Sequence, residues 1–277
     1  MRARHEIRLS LVIPTYNEEG RIGQTLEELL HEIQFFDFPC EIRVVDDGSD
    51  DETTRVVERL ERIDQRIVLQ REPHRGKGGA LRAGLLAARG ALRFMCDADL
   101  SMPPREIRRF VSLVPDECDI AIGTREGPGA RRVDEPAYRH VMGRAFNALV
   151  RHGLLPELQD TQCGFKLFTA RAIESVLPVT TVEGWTFDLE VLFVARLQGW
   201  RIREVPIEWH YNAQTRVSVV RDPWRMARDL WTIRANGRRG LYGQPWQRSA
   251  AHGYHSAVAR RHETTDLDVP VRDATHD

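Results

Sequence analysis

The sequence predicts an α/β protein built on a mostly parallel central sheet flanked by helices. Three observations predict it. Short β-branched runs alternate with amphipathic stretches between residues 7 and 123, the rhythm of strands joined by helical crossovers. Acidic and polar residues gather just after several of the apolar runs, where open parallel sheets bind their ligands. The 277 residues are 42% hydrophobic and 29% charged, enough apolar material for one sizeable core.

The elements follow in order. Strands are expected at residues 7–13, 41–45, 66–70, 91–96 and 119–122. Between them Ile22, Leu26, Leu29, Leu30 and Ile33 share one helical face, Val56, Leu60 and Ile63 a second, and Ile107, Phe110, Val111 and Val114 a third. Asp50 or Asp51 suits the N-cap of the second of these helices, and Ser101 followed by Pro103 and Pro104 reads as the start of the last. Residues 125–135, rich in Gly, Arg and Pro, read as a loop before a helix striped by Tyr138, Val141, Met142, Ala145 and Leu149. A strand at 165–169, a helix at 186–198, a strand at 201–209 and a helix at 223–236 complete a single domain over residues 1–243. Its halves are expected at about 7–125 and 126–243, and after Gly243 the apolar period fades into a polar tail, expected to be flexible, over 244–277.

Charge and cysteines exclude several functions. Forty basic residues against 41 acidic ones leave a net charge of -1, so no global field favours nucleic acid and none is expected as a partner. Of the 40 basic residues only Lys77 and Lys166 are lysines. Cys40, Cys96, Cys118 and Cys163 form no C-x-x-C pair, which argues for free thiols in a reducing cytoplasm rather than a disulfide framework or a zinc knuckle. No run of 18 apolar residues occurs and the largely polar start, Met1 to Glu6, lacks an apolar leader region, so neither a spanning helix nor a secretory leader is expected.

Three acidic clusters follow predicted strands: Asn17-Glu18-Glu19, Asp46-Asp47 and Asp97-Ala98-Asp99. In extended backbone Asp97 and Asp99 point to one side. Paired carboxylates suit a hard cation, Mg2+ or Mn2+, that also grips substrate phosphates; the same triplet equally suits an acidic turn before Pro103. A dinucleotide fingerprint is absent after the first strand. The glycine-rich Arg75-Gly76-Lys77-Gly78-Gly79-Ala80 comes after the third strand without the Ser/Thr of a P-loop. It permits close backbone approach at a helix start, with Arg75 or Lys77 available to neutralise a diphosphate.

The ordered segments PTYNEE, VVDDGSDD, RGKGGALRAG, MCDADLS and IGTR resemble the nucleotide-sugar half of family-2 glycosyltransferases. DTQCGFKLF, EGWTFDLEVLFVA, REVPIEWHY and TRVSVVRDPWRMARDLWTIR extend the resemblance over residues 9–242, toward dolichyl-phosphate β-glucosyltransferases and other polyprenyl-phosphate glycosyltransferases. The resemblance implies a GT-A fold. It implies a hexose moved from a nucleotide-sugar donor, UDP-glucose first, to a polyprenyl or dolichyl monophosphate with inversion. By the same resemblance Pro14, Tyr16, Asn17 and Glu18 surround the nucleoside, Asp46 accepts the N–H of the base and Lys77 lies near the nucleotide. Asp97, Ala98 and Asp99 meet the diphosphate, with Asp97 and Asp99 as metal ligands for Mg2+ or Mn2+. Ser101 stands where mannose synthases often present a Gln ligand.

Arg125, Arg139 and Arg216 are the candidates for the acceptor phosphate, because guanidinium forks bind phosphate bidentately. Asp160 is expected to orient the sugar hydroxyls, and Asp160 and Asp188 join Asp99 as the candidate catalytic carboxylates. Asp188 and Glu190 equally suit a helix N-terminus. In the last helix Trp224, Ala227 and Trp231 form one stripe and Met226, Leu230 and Ile233 another. Arg221, Arg225, Arg228, Arg234, Arg238 and Arg239 outnumber Asp222 and Asp229 around them. This is the make-up of an interfacial helix, and it predicts peripheral attachment to the cytoplasmic face of a membrane; the same apolar stripe also suits packing on the sheet. The alternatives are GDP-mannose or a soluble acceptor in the same fold, and a catalytically silent nucleotide-sugar-binding scaffold.

Overall fold

In the computed structural model, which describes residues 7–184, 186–211 and 222–243, the first half alternates as expected. β1 (Leu9–Thr15), α1 (Ile22–Ile33), β2 (Cys40–Asp46), α2 (Thr53–Ile63), β3 (Ile67–Arg71), α3 (Lys77–Ala87) and β4 (Leu92–Met95) are followed by α4 (Ile107–Leu113) and β5 (Ile120–Thr124). The second half holds β6 (Arg131–Val133), α5 (Ala137–Gly153), β7 (Lys166–Thr169), α6 (Ala170–Val176), α7 (Phe187–Leu197), β8 (Ile202–Pro206), β9 (Glu208–His210) and α8 (Asp222–Arg238).

Seven strands form one sheet in the order β3-β2-β1-β4-β7-β5-β8, and β6 pairs with β9 in a separate ribbon. Only β7 runs antiparallel in the large sheet, Lys166 lying opposite both Met95 and Ile122. An antiparallel strand starts at the edge where its parallel neighbours end. β7 therefore delivers the preceding loop, residues 160–165, to the carboxyl edge of β4 and β5.

Alternation in β1 divides the core between the two faces of the sheet. Leu9, Leu11 and Ile13 pack with Ile22, Leu26 and Leu29 of α1 and with Ile107 and Phe110 of α4. Val12 faces the other way, into a cluster with Leu81 and Leu85 of α3, Ile173 of α6 and Leu192 of α7.

Four local expectations are revised. The strand expected over 201–209 divides into β8 and β9, which join different sheets. β6 lies inside the segment read as a loop, because Arg131-Arg132-Val133 carries no apolar alternation and its pairing with β9 comes from the tertiary fold. The second helix takes Glu52 as its N-cap, while Asp51 accepts the Thr53 N–H at 2.9 Å from one position earlier. A short 3₁₀ turn at Pro104–Glu106 precedes α4, so the helix begins later than Ser101 suggested. The tail at 244–277 lies outside the described residues.

Candidate active site

At the end of β2 the two adjacent aspartates divide their duties. Asp46 is 3% exposed; its Oδ2 accepts the Ser49 N–H at 3.1 Å, while Oδ1 is buried without a hydrogen-bond partner. Asp47 holds the glycine turn instead, accepting the Arg75 N–H at 2.8 Å and the Gly76 N–H at 2.9 Å, with the His74 imidazole at 2.9 Å. Gly76 has φ +94°, a conformation glycine adopts without a steric penalty, and α3 starts at the next residue, Lys77. Asp47 was missed as a separate role because the sequence shows the pair only as one acidic cluster.

The segment after β1 closes over the same edge. Pro14 lies in β1 opposite Val45. Tyr16 packs against His74, the rings tilted by 32° with centroids 4.4 Å apart. Asn17 adopts a left-handed φ of +53° and is tied to the next loop, its Oδ1 accepting the Asp50 N–H at 3.0 Å and its N–H meeting Ser49 Oγ at 2.9 Å. Glu18 pairs with Arg21 at 2.7 Å.

Beyond β4, Asp97 Oδ1 meets Lys77 Nζ at 2.6 Å. The Ala98 carbonyl accepts the Thr25 hydroxyl at 2.6 Å, and Asp99 Oδ1 accepts the Ser101 N–H at 3.0 Å. Burial, and then the neighbouring Asp97 charge, raise the Asp99 carboxyl above the usual carboxylate range. Two carboxylates that repel one another in a partly dry edge form a donor set that a divalent cation relieves. Among the described residues no cluster of three or more His, Cys, Asp or Glu stands ready to hold a metal. Phosphate oxygens and water would complete the shell around Asp97 and Asp99, the usual arrangement for Mg2+. The 160–165 loop seats Asp97 from behind: a Cβ on Gly164 would lie 2.0 Å from its Oδ2.

In the acceptor half Arg125 and Asp160, expected to have separate roles, form one ion pair. Arg125 Nε and Nη2 bind Asp160 Oδ2 and Oδ1 at 2.6 and 2.9 Å, and the Arg125 N–H adds a third bond at 3.1 Å. The Arg125 guanidinium also lies 5.3 Å from the centroid of the Trp209 ring. Burial tends to raise the Asp160 carboxyl, but the Arg125 charge and hydrogen bonds bring it down to about 2. Glu204, at the centre of β8, accepts the N–H groups of Gln159 and Asp160, both at 2.9 Å. Arg139 lies in α5, but its side chain is outside the described residues, and the whole of Arg216 is outside them too.

In the first turn of α7, Asp188 and Glu190 both face inward. Asp188 Oδ2 lies 3.3 Å from Lys166 Nζ, and its Oδ1 is buried without a hydrogen-bond partner. Lys166 is 0% exposed and also donates to the Cys163 carbonyl. Burial works against the Lys77 charge, yet the carboxylates of Asp97, then Asp188, then Asp99 raise its pKa above the usual range for lysine. Glu190 organises backbone: it accepts the Thr181 and Val182 N–H groups, both at 2.7 Å, and the Tyr242 hydroxyl at 2.7 Å.

α8 is fastened to this framework by Asp229, which accepts the Thr186 hydroxyl at 2.5 Å. Its apolar residues part company. Ile233 is fully buried and Leu230 packs against the core, whereas Trp231 is 70% exposed, with Arg225, Arg228, Arg238 and Arg239 also exposed. The side chains of Trp224 and Ala227, and all of Arg221, lie outside the described residues. An open cleft of about 580 Å³ separates residues 181–184 from Arg225, Met226 and Asp229. Among the described residues no helix is long and apolar enough to cross a membrane.

Comparison with known proteins shows the family. The sequence profile described as "Glycosyl transferase family 2" matches residues 10–177. Glycosyltransferase AglD of Haloferax volcanii is 37% identical over 221 residues, covering 78% of this chain and 35% of that protein, so the chain spans about a third of that relative's length. The dolichyl-phosphate beta-glucosyltransferase of Saccharomyces cerevisiae is 33% identical over 261 residues, 86% of this chain and 77% of that one. The human protein of the same name is 31% identical over 84% of this chain and 77% of its own. Among solved structures, glucosyl-3-phosphoglycerate synthase from Mycobacterium tuberculosis, in complex with Mn2+, UDP-glucose and phosphoglyceric acid, superposes with a TM-score of 0.61. That match covers 87% of this chain and 82% of the other at 18% identity, a likeness of fold.

Proposed function

The chain belongs to glycosyltransferase family 2 and has its GT-A fold, and from that premise we propose that it moves glucose from UDP-glucose to a polyprenyl or dolichyl monophosphate, with inversion to a β-linked lipid-phosphate sugar. One observation carries the reading. Asp46, with its open buried oxygen, and the Lys77–Asp97 pair beside Asp99 flank the end of β1 on the same sheet edge. That spacing suits a base at one end and a diphosphate at the other. The names of the yeast and human relatives supply the sugar and the acceptor.

The residues then have the following roles. Asp46 Oδ1 accepts the N–H of the base. The Lys77 ammonium balances negative charge on the leaving diphosphate. Asp97 and Asp99 would hold a divalent cation, Mg2+ or Mn2+, whose charge, when bound, would further offset that of the diphosphate. An acceptor phosphate is already anionic at neutral pH, so its oxygen attacks the anomeric carbon without a general base. Attack opposite the leaving group inverts the configuration. Asp160, held rigid by Arg125, orients the sugar hydroxyls; the Arg125 fork is committed to that ion pair, so Arg139 and Arg216 draw in the acceptor phosphate. The exposed Trp231 and its arginine neighbours on α8 bring the enzyme to a bilayer as a peripheral protein.

The test incubates the protein with radiolabelled UDP-glucose or GDP-mannose, dolichyl phosphate and Mg2+ or Mn2+. Label from UDP-glucose is expected in the organic phase as an acid-labile lipid-phosphate sugar. Transfer from GDP-mannose alone would overturn the donor assignment, and no organic-phase product from either donor would overturn the lipid acceptor.

A further inference from the structure

The chain's two lysines both lie in the site, and the arrangement of their carboxylate partners is unequal. Asp97 is engaged by Lys77 at 2.6 Å. Asp188 is engaged on one oxygen by Lys166 at 3.3 Å, while its other oxygen is buried and without a hydrogen-bond partner. An acceptor atom left so inside a protein costs free energy until a donor reaches it. Resting on the nucleotide-sugar reading above, we propose that Lys77 changes partners when donor and divalent cation arrive. Its ammonium leaves Asp97 for the open Oδ1 of Asp188, so that Asp188 is a berth that positions Lys77 rather than a base.

Charge and chemistry both support the exchange. Asp97, Asp99 and Asp188 face Lys77 and Lys166, which leaves one negative charge in the cluster. A divalent cation alone would leave the partly dry cluster one charge positive, and a donor diphosphate with two negative charges restores the original balance. Cation and diphosphate therefore enter together, and Lys77 must release Asp97 for the cation to use it.

The residue type fits the same duty. Among 40 basic residues this chain uses lysine twice, here and at the neighbouring pair. An arginine fork locks bidentately onto one carboxylate, as Arg125 does on Asp160; a compact ammonium on a four-carbon stem swivels between two.

The scarcity of lysine also makes the exchange observable. Lysine labelled with ¹³C at Cε gives two side-chain signals in the whole protein, assigned with Lys77→Met, and Mg2+ is titrated in the presence of UDP. Both signals are expected to move with one midpoint, because the arrival of Lys77 changes the partner that Lys166 holds. A Lys77 signal that moves while the Lys166 signal stays still would overturn the exchange. In a second arm Mn2+ binding without nucleotide is measured by the paramagnetic resonance of free Mn2+. Lys77→Met, which removes the competing cation, is expected to bind Mn2+ at least about tenfold more tightly than the wild type. Equal or weaker binding would overturn the exchange while leaving the donor reading in place. Calorimetry with UDP and Mg2+ separates the two: if UDP does not bind the wild type at all, the nucleotide-sugar reading falls and the exchange with it.

Discussion

Replacing Gly164 by alanine tests how tightly the antiparallel insertion seats the acidic pair. A Cβ at this position would stand 2.0 Å from Asp97 Oδ2 and 2.7 Å from its Cγ, whereas Cβ atoms do not approach other atoms closer than about 3.0 Å. The carboxylate must retreat by about 1 Å, and a displacement of that size at a reacting centre costs on the order of 10²-fold in rate. The same move breaks the 2.6 Å contact with Lys77. The stability cost is smaller. The Asp97 side chain is 31% exposed, so overpacking against it should cost about 1 kcal/mol, the low end of the usual range. Gly164→Ala is therefore expected to melt within a few degrees of the wild type while sugar transfer falls about 100-fold, read from initial rates with labelled donor beside a thermal melt. Wild-type transfer rates in a folded Gly164→Ala protein would refute the reasoning, because they would mean that the position of Asp97 does not matter.

Four further outcomes follow from named contacts. Asp46→Ala removes the open Oδ1 and is expected to raise the donor KM by about 10- to 100-fold with little change in kcat, the worth of one hydrogen bond to a charged group. The Asp160 carboxyl is held down to about 2 in the folded protein, below its unfolded value of about 4. Its contribution, about 2–3 kcal/mol, is present above pH 4 and lost as the pH falls toward 2; urea melts of Asp160→Asn should lack that acid-sensitive increment. Tyr242→Phe removes the hydroxyl that donates to Glu190 at 2.7 Å and is expected to cost about 1.5–3 kcal/mol in a denaturant melt. Trp231→Ala, at a 70% exposed position, should leave stability within about 0.5 kcal/mol while weakening sedimentation with vesicles rich in anionic lipid; unchanged sedimentation would remove α8 from the membrane-contact proposal.

Much of this was legible in the amino-acid order, and the illegible part has common causes. The strands and helices of the first half carry their own periodicity: Leu9, Leu11 and Ile13 alternate on one face of β1, and Ile22, Leu26 and Leu29 recur on one face of α1. β6 could not be seen, because Arg131-Arg132-Val133 becomes a strand only by pairing with β9. Arg125 and Asp160 were both picked out but given separate duties. Nothing in sequence order records that two residues 35 positions apart meet in a bidentate ion pair. Likewise the two oxygens of Asp46 and Asp47 are chemically alike in the sequence, and only the course of the 74–76 turn decides that one carboxylate is used up while the other keeps an open atom.

By itself, then, the order of residues determined the α/β alternation, the acidic segments at the ends of β2 and β4, and the placing of both lysines within motif segments, all of them local patterns along one chain. The tertiary structure alone decided the direction of β7, since side chains alternate with period two in parallel and antiparallel strands alike. That direction brings the loop with Asp160 and Gly164 to the edge where β4 ends. It also starts β7 with Lys166 beside Asp188, and so decides which carboxylate oxygens remain open, because partners in a folded chain are chosen by distance in space.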